Sequence, residues 1–195
     1  MAQQFSPCVA PTARLLFAAA LISLFACGPR AAADTDWTGF VASPTKERLE
    51  ALEGIVGACH GDLKCRQSKR PTSQELGGLV QLVESGNSEA LAAGFLALRT
   101  MSFAGGDQGD LLRALGGQIK ASATRFLALV GVYGRDPDLL TMLPLETTDD
   151  VALKVSEIDR RIEALKTVAD PAVKGDRDWA LGVLTEYRST FSAPK

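Results

Sequence analysis

The chain has 195 residues, carries a formal net charge of −2 at pH 7, and has charged side chains at 23% of its positions. This length suits a single domain with a hydrophobic core. The mildly acidic balance leaves no broadly basic surface, which excludes a protein that holds nucleic acid through such a surface.

Residues 1–26 have the pattern of an export signal. Arg14 provides a positive charge, and the uninterrupted apolar run over residues 15–26 follows it. A run of this length spans about 18 Å as a helix, which is short of the roughly 30 Å hydrocarbon core of a membrane. The sequence therefore predicts a signal peptide that is removed.

The four residues Leu24-Phe25-Ala26-Cys27 resemble the lipobox of bacterial lipoproteins. The resemblance implies that Cys27 becomes the lipidated first residue of the mature protein and holds it on a membrane. Gly28 is similar to the residue found in lipoproteins sent to the outer membrane. We expect a location on the periplasmic face of that membrane in a bacterial cell envelope, with residues 27–43 as a flexible tether.

Two other fates of Cys27 remain open. Ala31-Ala32-Ala33 has the small-x-small form of ordinary signal cleavage, and a cut before Asp34 would discard Cys27 and leave a soluble periplasmic or secreted protein. Cys27 would instead be only a small apolar residue if the helix were not cleaved.

Cys59 and Cys65 are the cysteines of the folded part, and an oxidising compartment favours a disulfide between them. On a continuous helix the two side chains would lie on different faces, so the bond requires the break that His60-Gly61-Asp62 provides. Haem attachment requires another order of cysteines and histidine. A zinc site would have only the two cysteines and His60 before it borrowed a carboxylate.

The segment of seven residues from Lys64 to Arg70 is locally basic, with Arg66, Lys69 and Arg70 as the candidate contact residues. It is interpreted either as a solvated linker between helices or as a contact to anionic lipid head groups or an acidic partner.

Apolar residues at helical spacing and the scarcity of alternating patterns predict an all-α domain over residues 44–191, followed by a frayed tail at 192–195. Asn87 or Ser88 is expected to cap the third helix. Helices are predicted at residues 45–58, 73–84, 88–101, 150–169 and 177–191, with a turn at residues 105–110.

Two short patterns occur twice. The letters FLAL at residues 95–98 return at 126–129, and DLL at 110–112 returns at 138–140. Helix pairs with a period near thirty residues resemble HEAT-like repeats over residues 73–168. The resemblance implies helical hairpins stacked as a short α-solenoid-like array that presents a surface to other proteins. An irregular helical bundle is the alternative.

The last two helices have distinct faces. The first is predicted to bury an apolar stripe of Val151, Val155, Ile158, Ile162 and Leu165. Its outer face is predicted to be solvated and consists of Glu157, Arg160, Arg161 and Glu163. The final helix is expected to bury Trp179, Leu181, Leu184 and Tyr187.

The sequence contains no recognisable nucleophile motif or phosphate loop, and His60 is its single histidine. Pairs of acids could serve a hydrolase of the cell wall. Each pair precedes a predicted helix, however, where helix capping accounts for it. These pairs are Asp107 and Asp110, Asp136 and Asp138, Asp149 and Asp150, and Asp176 and Asp178.

The sequence therefore favours a non-enzymatic, lipid-anchored module that binds another envelope protein and needs no cofactor or metal. The candidate contact surface on the longer helices consists of Arg99, Gln118, Lys120 and Arg125. The alternatives are an immunity or inhibitor protein directed against a toxin, a cell-wall enzyme that uses paired carboxylates, and a carrier with an apolar cavity.

Overall fold

The structure is a computed structural model that describes residues 36–101, 106–145 and 149–191, all within one compact unit. These ranges contain helices and no strand, which confirms the predicted all-α class. The signal peptide, Cys27, Gly28, Asp34 and the tail at 192–195 lie outside the described residues. The helices are α1 (Trp37–Ala42), α2 (Lys46–Gly57), α3 (Leu63–Ser68), α4 (Ser73–Glu84), α5 (Ser88–Leu98), α6 (Gly106–Gly117), α7 (Ile119–Tyr133), α8 (Asp138–Thr141), α9 (Val151–Lys166) and α10 (Lys174–Ser189), with a 3-10 helix at Pro171–Val173.

Four predicted helix starts are confirmed, and a side chain caps each of them. Thr45 caps α2, Asn87 caps α5 and Asp150 caps α9 by accepting backbone N–H groups of the first turn. Thr72 and Glu75 form a reciprocal capping box at the start of α4. These bonds satisfy N–H groups that have no partner within the helix.

The segment expected to be a flexible tether is folded from Trp37 onward. Helix α1 places Trp37 and Phe40 in the core, where they are 1% and 0% exposed. The indole Nε1 of Trp37 donates a hydrogen bond of 2.7 Å to the carbonyl of Lys69. A helix of six residues is too short to show an apolar period, so the sequence pattern missed it.

The turn expected at residues 105–110 is wrong over its described part, because α6 begins at Gly106. Leu111 and Leu115 of α6 are fully buried, and α6 packs against α4 and α5. Burial of this face stabilises the helix more than its glycines weaken it.

Other boundaries move by about one turn. Helix α5 ends at Leu98 rather than at residue 101, and α9 ends at Lys166 rather than at 169. Helix α10 begins at Lys174, three residues before the predicted start, and a 3-10 helix capped by Asp170 separates it from α9.

Helix α5 is the centre of the domain. Every residue from Ala90 to Ala97 is buried, and α5 packs against α2, α4, α6 and α7. A Cβ on Gly94 would lie 2.8 Å from Cδ2 of Leu115, so glycine permits the close approach of α6. The ring of Phe95 contacts Phe126 edge to face at 5.5 Å.

The outer face predicted for α9 is partly wrong, because Arg161 is 0% exposed and Glu157 is also buried. Arg161 donates from Nε to Glu157 at 3.2 Å and from Nη1 to the carbonyl of Leu140 at 2.8 Å. Lys120 and Arg160 also pair with Glu157, at 3.0 and 3.2 Å. Helix α7 packs against α9, and α8 meets this face through the carbonyl of Leu140. Burial lowers the pKa of Arg161 against the opposing effect of Glu157.

The apolar stripe of α9 is confirmed at Ile158, Ile162 and Leu165, which are buried. Val151, the first residue of α9, is 54% exposed. In α10 the prediction holds for Leu184, whereas the other three predicted core residues are only half-buried: Trp179, Leu181 and Tyr187.

The two copies of the repeated DLL pattern differ in structure. The first lies inside α6, a helix of twelve residues, whereas the second forms α8, which has four. The likeness to HEAT-like repeats stays a prediction. No helix in the described ranges is both long and apolar enough to cross a membrane.

Candidate functional site: a groove with two arginines

A groove of about 420 Å³ lies where α2, the turn after it, and the C-terminal ends of α5 and α7 meet. We call it the arginine groove. Its lining residues are Glu53, Val56, Gly57, Gly61, Arg66, Leu96, Arg99, Val132 and Tyr133.

The disulfide predicted between Cys59 and Cys65 is present and shapes one wall of the groove. Its Cα atoms are 5.5 Å apart, and the helix breaks between them at His60 and Gly61, whose φ angles are 42° and 92°. Asp62 then caps α3. The bridge thus returns the chain against the end of α2 and places Arg66, the residue after Cys65, in the groove.

Tyr133 connects two helices across the groove. Its ring stacks on Phe95 with centroids 6.0 Å apart, and its hydroxyl donates a hydrogen bond of 2.5 Å to Oε1 of Glu53 in α2. Burial, and secondly the carboxylate of Glu53, raises the pKa of Tyr133 well above its ordinary value near 10. The hydroxyl therefore remains a donor at neutral pH. Its hydrogen bond engages one oxygen of Glu53, the carboxylate that lines this groove.

The guanidinium groups of Arg66 and Arg99 determine the charge of the groove. Within the described part of the chain, neither side chain forms an ion pair, and the buried Nε of Arg66 has no hydrogen-bond partner. Burying a donor without a partner costs about 1–3 kcal/mol. The Nη groups of Arg66 are not among the buried atoms without a partner, so an incoming carboxylate would accept from them and from Arg99, in the planar geometry that guanidinium groups bind best.

The surface predicted on the longer helices does not form one site. Arg99 lines the arginine groove, whereas Gln118 lines a different groove, between α4 and α6. Lys120 is paired with the buried Glu157, and Arg125 donates from Nη2 to the carbonyl of Ser88 at 2.8 Å.

The three basic residues Arg66, Lys69 and Arg70 do not form one surface either. Arg66 lines the groove and is half-buried, and Lys69 holds α1 through its carbonyl. Arg70 is exposed and lines none of the grooves described here.

Sequence reasoning missed Glu53, Val132 and Tyr133 as site residues. The sequence offered one signal for two of them: Val132 and Tyr133 stand directly before Gly134, at the end of a helix. In the structure Val132 is 70% exposed, so an apolar side chain at this helix end is open to a partner. No local pattern marks Glu53, which is 80 residues from Tyr133 along the chain.

Helix capping explains only some of the acidic pairs. Asp150 caps α9, and Asp136 accepts from the backbone N–H of Asp138 at 2.9 Å. The expectation is wrong for Asp110 and Asp178, which lie inside α6 and α10, whereas Asp176 lies in the first turn of α10, where a carboxylate complements the helix dipole. Their partners are basic side chains: Arg113 for Asp110, Arg135 for Asp176, and Lys174 and Arg177 for Asp178.

The disulfide takes both cysteines out of any thiolate ligand set with His60. Among the residues that the structure describes, no three His, Cys, Asp or Glu side chains gather in a way that could hold a metal ion.

No protein-family model matches the chain, and no match was found among curated proteins or solved structures.

Proposed function

We propose that this protein is an exported, lipid-anchored component of the cell envelope that binds a partner protein through the arginine groove. The occupant is a surface segment of another envelope protein with an aspartate or glutamate beside an apolar side chain. The observation that carries the proposal is that Arg66 and Arg99, which line the groove beside an apolar wall, form no ion pair with any residue that the structure describes.

The apolar part of the groove suits the apolar side chain of the proposed partner segment. Val56 and Leu96 are buried beneath it, and the exposed Val132 stands at its edge. Arginine and tyrosine are, with tryptophan, the residues enriched among those that dominate the free energy of protein–protein binding. Tyr133 is already held by Phe95 and Glu53, so little side-chain entropy would be lost when a partner binds.

The Cys59–Cys65 disulfide supports the exported location, because such bonds persist in oxidising compartments. Anchoring rests on the lipobox resemblance at Cys27. Mass spectrometry of the N-terminal peptide from membrane fractions tests it, and an acylated Cys27 is expected. A mature N-terminus at Asp34 would overturn the anchor and leave the groove proposal intact.

Photo-crosslinking in cells tests the groove. A photoreactive residue at Val132 should capture one envelope protein, whereas the same residue at Leu153, which is exposed on α9, should not capture it. Arg66→Glu and Arg99→Glu should each abolish the capture, because each reverses a charge inside the groove.

Arg70→Glu is the matched control, since Arg70 is exposed near α3 but does not line the groove. It should leave the capture unchanged. Equal capture in the Arg99 and Arg70 variants, or capture insensitive to salt, would count against an electrostatic site.

A further inference from the structure

A second groove, of about 480 Å³, runs between α4 and α6 and shares no residue with the arginine groove. We call it the helix-pair groove. Its lining residues are Ser73, Leu76, Gly77, Val80, Glu84, Asp110, Arg113, Ala114, Gly117, Gln118, Pro144 and Leu145.

Two glycines give this groove its depth. Beyond the backbone of its own helix and its chain neighbours, a Cβ built on Gly77 or on Gly117 would meet no atom within 4 Å, so each helix has open space at its glycine. From Ser73 to Glu84 the groove follows the whole of α4, which is about 16 Å at the rise of an α-helix. That length fits about five residues of extended chain.

The side-chain amide of Gln118 indicates which polar groups a ligand of this groove should carry. The residue is only 8% exposed, and it precedes α7 without a side-chain capping bond. Its side-chain amide takes part in no hydrogen bond among the described residues, and it is not one of the fully buried groups without a partner, so its donors and acceptor are open to the groove. A peptide group offers the complementary acceptor and donor together, whereas an acyl chain offers neither.

The charges of the groove favour a basic side chain. Asp110 pairs with Arg113 through a hydrogen-bonded salt bridge, so these two charges offset each other. Glu84 is exposed and forms no ion pair within the described ranges. Among the described lining residues, Glu84 is therefore the one charge without an ion-pair partner, and it lies beside an apolar wall that includes Leu76 and Val80.

We infer that the helix-pair groove is a second binding site, for an extended polypeptide segment with small apolar side chains and one lysine or arginine. The backbone of that segment pairs with the Gln118 amide, its apolar side chains lie against α4 and α6, and its basic side chain pairs with Glu84. The inference does not depend on the proposed function of the arginine groove.

The test uses the purified full chain with its disulfide intact and a five-residue peptide of alanine, leucine, alanine, valine and lysine, blocked at both ends. Nuclear magnetic resonance should show saturable shifts of backbone amides in α4 and α6. The same peptide with glutamate in place of lysine should bind about tenfold more weakly, because Glu84 repels it at short range. Loss of all saturable shifts up to several millimolar peptide would overturn the inference.

Gly77→Leu should abolish binding, because the new side chain fills the groove. The substitution also replaces a helical glycine by a better helix former, so the fold should persist. Gly182→Leu is the matched control: Gly182 lies in α10, is exposed, and also has open space at its Cβ. Peptide binding equal in the two variants would contradict the assignment.

Gln118→Leu separates hydrogen bonding from shape, because it keeps the volume and removes the amide. Binding should weaken about tenfold, which corresponds to the net contribution of one or two hydrogen bonds.

Native mass spectrometry of the purified chain tests whether the groove holds a lipid instead of a peptide. A co-purifying lipid that Gly77→Leu displaces would show an acyl-chain site and overturn the peptide assignment.

Discussion

The arginine groove and the helix-pair groove are similar in size but are built by different means. Residues distant in the chain meet in the arginine groove, where the Cys59–Cys65 bond and the contact between Tyr133 and Glu53 join the walls. The helix-pair groove lies mainly between the packed faces of α4 and α6 and owes its depth to two missing side chains. One site thus depends on charges held in place by cross-links, and the other depends on helix packing. Changes that remove a cross-link or a packing contact should therefore affect the two grooves separately.

The largest effect is expected at Arg161, which supports the α6 side of the molecule. A Cβ on Gly116 of α6 would lie 2.9 Å from Nη1 of Arg161, so the guanidinium packs directly against that helix. Arg161→Ala should lower the free energy of unfolding by about 2–5 kcal/mol, because it leaves a cavity at a fully buried side chain and removes the donor to the Leu140 carbonyl, while Glu157 keeps Lys120 and Arg160 as partners. Denaturant unfolding measures it, and peptide binding to the helix-pair groove should weaken in the same variant.

Arg160→Ala is the control for that measurement. Arg160 pairs with the same Glu157, but its side chain is 58% exposed. The loss should be no more than about 1 kcal/mol, as for other exposed pairs. A loss as large as that of Arg161→Ala would mean that burial does not distinguish the two arginines.

The next effect concerns the disulfide, which belongs to the arginine groove. Replacing Cys59 and Cys65 by serine should cost about 2 kcal/mol of stability, because a short loop in the unfolded chain is no longer closed. Partner capture at Val132 should fall sharply, since Arg66 loses its fixed position. Binding of the lysine peptide to the helix-pair groove should persist under conditions where the variant is folded, and its loss there would refute the independence of the two sites.

Tyr133→Phe should cost about 1 kcal/mol, the usual net contribution of one hydrogen bond. The raised pKa of Tyr133 means that the folded state favours the protonated hydroxyl. Its stabilisation is therefore complete below the unfolded pKa near 10 and is lost as the pH rises above that value. Unfolding measured between pH 8 and pH 11 should show a decline in the wild type that is smaller in Tyr133→Phe, and parallel curves would contradict the assignment.

The smallest effect is a gain. Gly77→Ala should raise stability by roughly 0.5–1 kcal/mol, because alanine favours the helix and its Cβ enters open space. Gly116→Ala on α6 should instead destabilise, since its Cβ would lie 2.5 Å from the carbonyl oxygen of Leu139. Thermal unfolding of both variants distinguishes the open side of α6 from its packed side. A gain in both would show that this contact relaxes freely.

The sequence by itself determined the features that depend on interactions between residues close together in the chain. The capping box of Thr72 and Glu75 and the caps by Asn87 and Asp150 are closed within one helical turn, so their residues predict where helices begin. The disulfide was predictable for the same reason, because Cys59 and Cys65 flank a short segment with a helix-breaking glycine.

Tertiary structure alone decided which faces are buried and which distant residues meet. Arg161 belongs to a charged stripe that is typical of a solvated surface, yet it is fully buried, with α7 packed against α9 and the Leu140 carbonyl of α8 bonded to its guanidinium. Trp37 folds into the core through a contact 32 residues away, and Glu53 reaches Tyr133 across 80 residues. Periodicity reports that a helix has an apolar face, but it carries no information on which other helix covers that face. Both grooves arise from such pairings, which is why their residues were assembled only in the folded chain.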